Sequence, residues 1–323
     1  MSHTITLKLI PCKNCFAPGP GWAALGGFLA SGILRFEADF FTLNAPWLLK
    51  FGLLWLLVDP VLGTLWHLVV EQGVWRNLTR LPAAQTWAVK PLLPYAAKGS
   101  VACRLSALIA LLRQQKDGEW QTSLLLPLVA LGLATTLGEQ VVLYTLIAIL
   151  SIFWMGSASP AKISLLKPFW QSVTGFLLPY IIGLNLMGGL EQNALLPGLG
   201  YWVAVFGSLL LTTGRSSAAK VVIIGQASIA LLLFALIKPI AAASAGLASG
   251  FSFLLWLNAK QAQPQTPSNT PILPTGEETA SRPPLVKKPL RVLHSPTPHL
   301  SRQISPILLL SFLIAALSLG GVR

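Results

Sequence analysis

The chain has 323 residues, of which 54% are hydrophobic and only 10% are charged. Soluble domains carry about 25% charged residues, so this composition excludes a water-soluble globular protein. The 23 Lys and Arg residues against 10 Asp and Glu give a net charge of +13, but no segment forms the basic patch on a soluble fold that nucleic-acid binding requires. The sequence therefore predicts an all-α, polytopic transmembrane bundle and no nucleic-acid partner.

The first segment, residues 1–20, lacks the continuous apolar core of a cleavable signal, and we expect it to be cytoplasmic. Cys12 and Cys15 have the spacing of half a zinc site, but a structural zinc site needs four ligands, and the rest of the set is missing. Three cysteines also exclude a disulfide framework. We therefore predict no metal at this pair and interpret it as two incidental thiols.

Helices that cross ~30 Å of hydrocarbon need about 20 mostly apolar residues. Nine stretches approach this length and predict eight or nine spans. A membrane domain, 21–257, contains about eight of them, and 306–323 contains the last. The stretches are 21–36, 51–71, 122–137, 140–156, 168–187, 198–214, 221–237, 239–257 and 306–320. The first stretch has a short apolar run, because charged residues begin at Arg35. The seventh and eighth meet at Lys238–Pro239, where the proline lacks an amide donor and favours a break.

The basic residues predict the orientation. With a cytoplasmic N-terminus and nine alternating spans, 19 of the 23 basic residues lie on inner segments, and the outer segments keep only Arg35, Lys50, Lys238 and Arg323. Such asymmetry is what the positive-inside rule requires. We therefore expect a protein of the cytoplasmic (inner) membrane whose inner loops contact anionic lipid. If 21–36 lies on the surface instead, the other eight spans keep their orientation.

Two inner segments are long. Within 72–121, Leu105, Leu108 and Leu112 share one helical face that is edged by basic residues, which predicts an interfacial amphipathic helix; an extension of the third span is the alternative. Residues 258–305 contain nine prolines among polar residues and predict a disordered cytoplasmic loop.

Small residues at 241–250 and at Gly26–Gly27 predict close helix packing.

The second span carries a polar stripe formed by Asp59, Gly63, His67 and Glu71. An ionised Asp at the bilayer centre costs about 2.5–3.5 kcal/mol, so Asp59 is expected to face the bundle interior, to have a partner or to be protonated. Pro60 removes the amide that would pair with the Leu56 carbonyl. One interpretation makes the stripe the wall of a substrate or proton pathway. The other makes Asp59 a helix–helix contact beside a proline kink. A single intramembrane histidine gives at most one axial ligand, so no cofactor is predicted.

The span count and the long loop after the second helix resemble the UbiA-type intramembrane prenyltransferases. That resemblance implies nine helices, a cytoplasmic N-terminus and an isoprenoid substrate. It also implies two aspartate-rich motifs that bind magnesium and neutralise a diphosphate. In this chain, the first corresponding region begins at Glu71, which supplies its one carboxylate. The second region, from Thr213 to Lys220, contains no carboxylate. No catalytic residue can therefore be carried over from the family.

Four functional hypotheses follow from these features. The first is a divergent UbiA-like protein that binds an isoprenoid or another membrane lipid without the magnesium–diphosphate site. The second is an active but atypical prenyltransferase that uses Glu71, His67 and basic residues of the loop 72–121. The third is a proton-coupled transporter with Asp59 as the carrier. The fourth is a structural or assembly subunit that associates with a membrane-protein partner or with further copies of itself.

Overall fold

The computed structural model describes residues 19–32, 45–74, 119–158, 160–186, 192–213, 217–261 and 297–320, and all regular secondary structure in these ranges is helical. We number the helices in chain order: α1 Pro20–Ala30; α2 Ala45–Leu56, continued by Leu57–Val61, Leu62–Trp66 and His67–Glu71; α3 Glu119–Leu137; α4 Glu139–Ser157; α5 Pro160–Ser172, continued by Val173–Leu177 and Leu178–Asn185; α6 Gln192–Thr212; α7 Ala218–Ala235; α8 Pro239–Gln261; and α9 Thr297–Gly320. The all-α prediction is confirmed.

Six of these helices are long and apolar enough to cross a membrane, namely α2, α4, α6, α7, α8 and α9. This is compatible with an integral membrane protein. The number is smaller than the eight or nine predicted spans, because α1 has only 11 residues, the apolar part of α3, Gln121–Leu137, is also short, and α5 is not among the candidate spans. The predicted amphipathic helix in 72–121 lies outside the described residues. Helix α8 extends to residue 261 and helix α9 begins at residue 297, so both occupy ends of the predicted loop 258–305. The remainder of that loop, 262–296, lies outside the described residues.

Helix α1 is much shorter than the predicted span 21–36. It has 11 residues and ends at Ala30, before a turn in which Gly32 has a φ of +82°. At 1.5 Å per residue it covers about 16 Å, roughly half of the hydrocarbon thickness. Seven of its 11 residues are buried, so α1 is a short internal helix rather than a complete crossing.

The core of the bundle has two parts, one cluster centred on α2–α4 and two further clusters centred on α6–α9. Helices α1 and α5 contribute side chains to both parts. Phe28 of α1 and Ile182 of α5 pack in the core around α2–α4. Ala30 of α1 and Tyr180 of α5 pack in the core around α6–α9. Helices α1 and α5 therefore connect the two halves of the structure.

Two glycines allow the backbones of α1 and α5 to meet. A Cβ atom on Gly27 of α1 would collide with the backbone oxygen of Tyr180, and one on Gly183 of α5 would collide with the backbone oxygen of Ala24. Each helix thus presents a glycine to the main chain of the other. Small residues that let helices approach closely are the usual basis of packing between membrane helices, and the prediction that Gly26–Gly27 packs closely is confirmed.

Helices α7 and α8 are joined by a tight turn at Leu236–Lys238, so the break predicted at Lys238–Pro239 is present. The amide of Lys238 donates to the Leu233 carbonyl, and the amide of Ile237 donates to the Phe234 carbonyl, both at 3.0 Å. Ile237 occupies the position after the helix that glycine usually fills. Its φ of +58° is left-handed, which costs a β-branched L-residue about 1–2 kcal/mol.

We predict that Gly183→Ala destabilises the protein by about 1–3 kcal/mol, because the new methyl group would push α1 and α5 apart. Gly175→Ala on the same helix is the matched control, since a Cβ at that position meets nothing within 4 Å. Thermal unfolding in detergent measures both variants. Equal unfolding midpoints for the two would show that the α1–α5 contact does not limit stability.

Candidate functional site

The predicted polar stripe lies on α2, which contains two π-helical turns. In the first, Leu57–Val61, the amide of Leu62 donates to the carbonyl of Leu57 five residues earlier. In the second, His67–Glu71, the amide of Gln72 donates to the carbonyl of His67 at 2.9 Å. Pro60 lies inside the first turn. Proline has no amide hydrogen, so it leaves the carbonyl four residues earlier without its usual partner. In a π turn each carbonyl pairs with the amide five residues later, so the amide that follows the proline can bond to that carbonyl.

Asp59 is the central residue of the candidate span Trp47–Glu71 and is half-buried. Within the described ranges, its carboxylate takes part in no hydrogen bond and no ion pair. It follows Phe51 and Trp55 at four-residue intervals, and those two rings contact Phe28 and Trp22 of α1. Helix α1 also packs against the π turn that contains Asp59. Asp59 therefore lies in a turn of α2 that packs against the short helix α1.

At the end of α2, the structure brings together His67, Glu71 and Lys167. The His67 Nδ1 atom is 2.6 Å from Glu71 Oε2, and the Lys167 ammonium donates to Glu71 Oε1 at 3.2 Å. The three side chains are 34–37% exposed. Lys167 lies about two turns into α5, so this cluster connects the end of α2 to the first half of α5. His67 and Glu71, two members of the predicted polar stripe, contact each other, and Lys167 is a partner that the sequence did not reveal.

The cluster at Glu71 does not extend to the other members of the predicted stripe. Gly63 has no heavy atom within 4 Å of where its Cβ would be, and Asp59 forms no bond with His67 or Glu71. Across the part of the chain that the structure describes, no group of three or more His, Cys, Asp or Glu residues could hold a metal ion. As it stands, Glu71 is the acceptor in an ion pair between helices.

A second candidate site is a groove of about 640 Å³ between α7 and α8. Its lining contains no ionisable residue, and Ser249 supplies the one hydroxyl. That hydroxyl donates to the Ile223 carbonyl at 3.2 Å, which leaves an essentially apolar surface. The complete lining is Ala227, Ala230, Leu231, Phe234, Pro239, Ala242, Ala243, Gly246 and Ser249.

The groove faces outward. Leu231 and Phe234 of α7 are 72% and 71% exposed, and the neighbouring Leu247 of α8 is 77% exposed. Helix α8 is also the least buried of the six candidate spans, at 28%. The small residues that were predicted to pack therefore divide between two faces. Ala241 and Ala245 pack inside the bundle, whereas Ala243 and Gly246 line the open groove.

Gln226 of α7 is a further polar residue that the sequence did not single out. Its side chain is completely buried, and neither amide atom forms a hydrogen bond within the described structure. A buried polar group without a partner costs about 1–3 kcal/mol. The surrounding helices meet closely, since a Cβ on the adjacent Gly225 would lie 3.1 Å from the backbone nitrogen of Ala204. Gln226 does not line the groove.

Comparison with protein-family models, with curated proteins and with solved structures finds no match to this chain.

We predict that the Glu71–Lys167 ion pair contributes no more than about 1 kcal/mol to stability, because partly exposed pairs are screened by solvent. The measurement is a double-mutant cycle of Glu71→Gln and Lys167→Met, followed by unfolding in detergent. A coupling free energy of several kcal/mol would contradict this and would assign the pair a major structural role.

Proposed function

We propose that the protein is an integral membrane bundle of eight or nine spans that binds the hydrocarbon chain of a lipid in the α7–α8 groove. Helices α2 to α9 in the described ranges support the lower count, because they overlap eight of the nine predicted stretches in order, whereas α1 is too short to cross. Helix α5 supports it further. Although α5 is not among the six candidate spans, Pro160–Asn185 is about 39 Å long at 1.5 Å per residue, which exceeds the ~30 Å of hydrocarbon.

The observation that carries the lipid-binding proposal is the chemistry of the groove. Small-molecule sites usually have volumes of about 300–1,000 Å³ and combine an apolar lining with a few polar groups that orient the ligand. This groove has the volume but lacks free polar groups, since the Ser249 hydroxyl already donates to a backbone carbonyl. A water-soluble ligand would lose its hydration without compensation there. A hydrocarbon chain would not.

The dimensions of the groove also suit a lipid chain. Its lining residues on α8 run from Pro239, at the start of the helix, to Ser249. Ten residues of α-helix cover about 15 Å, which is half of the ~30 Å hydrocarbon thickness. The groove therefore corresponds to the depth of one leaflet. An isoprenoid chain or the acyl chain of a phospholipid would fit this description.

We further propose that any relationship to the UbiA-type proteins lies in lipid accommodation rather than in prenyl transfer. The transferase reaction of that family needs clustered carboxylates for magnesium. The described carboxylate nearest to the expected position, Glu71, is engaged by Lys167 and His67. This arrangement supports binding without catalysis.

The test uses Gly246→Leu, which places a branched side chain in the groove. Gly250→Leu is the matched control, because both glycines are exposed on α8 with open space around the position of a Cβ, but only Gly246 lines the groove. The protein is reconstituted with phosphatidylcholine that carries a photoactivatable acyl chain, and cross-links are mapped by mass spectrometry. We expect Gly246→Leu to reduce cross-linking to α7 and α8 several-fold and Gly250→Leu to leave it unchanged. Identical cross-linking in both variants would refute the groove as a lipid site.

A second candidate function is proton-coupled transport through Asp59, which is favoured by the position of this half-buried carboxylate at the centre of a span. Intramembrane carboxylates commonly mark ion or proton pathways. We expect Asp59→Asn to reduce proton flux into proteoliposomes at least tenfold under an imposed potential, whereas Glu71→Gln at the end of the same helix retains it. A pH-sensitive dye in the lumen measures the flux. Unaltered flux in Asp59→Asn, or no flux above that of empty vesicles in the wild type, would refute transport through Asp59.

A further inference from the structure

Buried polar side chains cross the interior of the α6–α9 half of the bundle. Each of these four helices contributes a member, namely Ser208 of α6, Gln226 of α7, Ser252 of α8 and Ser301 of α9. Gln226 and Ser252 are completely buried, and Ser208 and Ser301 are 4% and 6% exposed. The Ser301 hydroxyl donates to the Ser208 carbonyl at 3.2 Å, which joins α9 to α6. We call these four residues the polar layer.

The polar layer interrupts the apolar packing of this half. Two apolar clusters lie around α6–α9, and on three of the helices the polar residue stands between them along the chain. It separates Val205 from Leu211 on α6, Ile229 from Val222 on α7, and Ala245 from Leu255 on α8. The layer is therefore a polar section within an otherwise hydrophobic interior.

Gln226 and Ser252 lie on the inner side of α7 and α8, because both are completely buried and neither lines the outward-facing groove. The Ser249 hydroxyl donates to the Ile223 carbonyl at 3.2 Å, which aligns these two antiparallel helices. Gln226 is three residues beyond Ile223, and Ser252 is three residues beyond Ser249 in the opposite direction. Their backbones are thus about 9 Å apart along the helix axis.

The two side chains extend toward each other across this distance. Side chains of an α-helix lean toward its N-terminus, and α7 and α8 run in opposite directions. Gln226 therefore leans toward the level of Ser252, and Ser252 leans toward the level of Gln226. No direct hydrogen bond joins them, since in the described structure the Gln226 amide and the Ser252 hydroxyl both lack a partner.

These unpaired groups define the chemistry of a ligand. The Gln226 amide offers two donor hydrogens and an acceptor oxygen, and the Ser252 hydroxyl can donate and accept. In their described ranges, helices α6 to α9 contain no Asp or Glu, so a cation would enter this interior without a counter-charge, at a large cost. A small neutral molecule that both donates and accepts hydrogen bonds meets the requirement. Water is such a molecule, and buried waters typically form about three hydrogen bonds with protein groups of this kind.

From these observations we propose that the polar layer binds an ordered water molecule between Gln226 and Ser252. The water accepts from the Gln226 amide and pairs with the Ser252 hydroxyl. It joins α7 to α8 through the interior, as the Ser301 hydroxyl joins α9 to α6. This inference is independent of the lipid-binding proposal, because the groove lies on the other side of the same two helices.

X-ray radiolytic footprinting of the full-length protein in nanodiscs tests the site. The X-ray pulse converts water into hydroxyl radicals that oxidise neighbouring side chains, and mass spectrometry locates the products. We expect Val222, a completely buried residue one turn from Gln226, to be oxidised in the wild type. Gln226→Leu and Ser252→Ala should each reduce its oxidation several-fold. Ser244→Ala is the matched control and should leave it unchanged, because that hydroxyl donates to the Ala241 carbonyl of its own helix.

Thermal unfolding in the same nanodiscs gives a second, independent readout. Leucine is close to glutamine in size and has no polar side-chain atom. If water pairs with the amide, Gln226→Leu removes hydrogen bonds and lowers the unfolding midpoint, whereas an amide without partners is a penalty whose removal raises it. An unchanged or raised midpoint overturns the inference. So does Val222 oxidation that is the same in the wild type, Gln226→Leu and Ser252→Ala. If Gln226→Leu does not fold, the oxidation of Val222 in Ser252→Ala decides.

Discussion

The contact between the backbones of α1 and α5 holds the two halves of the bundle together. Within a bilayer, apolar side chains gain little by leaving lipid for protein, so close packing and hydrogen bonds must supply the association. Gly27 and Gly183 provide that packing, because the absence of a Cβ atom at each position lets the two backbones approach closely. Hydrogen bonds between helices reinforce the arrangement. Tyr180 donates to the Ala194 carbonyl at 2.6 Å, and Tyr201 pairs with Ser311 at 2.7 Å.

Two of the three π-helical turns in the described residues lie at or just before a proline within a helix. One turn contains Pro60, and the turn Val173–Leu177 of α5 comes just before Pro179. In lipid, no water is present to pair with a carbonyl that has lost its amide partner, so local rearrangement of the ladder is required. In α2 the same rearrangement surrounds Asp59, and α1 packs against both of these π turns. Irregular backbone and the buried short helix thus meet in one region of the interior.

Much of the helical framework could be predicted from the sequence, because apolar runs and prolines determine where helices begin and end. The sequence placed His67 and Glu71 in one polar stripe, and in the structure the two side chains contact each other. Lys167 could not be paired with Glu71 in advance, since they are 96 residues apart and the register between helices is not encoded in either segment. The first span was predicted too long because its apolar run continues past Ala30, whereas the helix stops before Gly32. The groove was missed for a different reason. Helices α7 and α8 are apolar on all sides, so hydrophobic periodicity does not show which face is turned outward.

The sideways opening of the α7–α8 groove determines how a ligand would reach it. Leu231, Phe234 and Leu247 are exposed along its edge. In a bilayer this edge would border the hydrocarbon, and a lipid would enter by lateral diffusion within one leaflet without passage through water. Occupancy would then depend on the mole fraction of the lipid in that leaflet rather than on its aqueous concentration. It would also vary with bilayer thickness, because a thinner or thicker membrane shifts the lipid relative to the helix ends. The composition of the host membrane would therefore control the site.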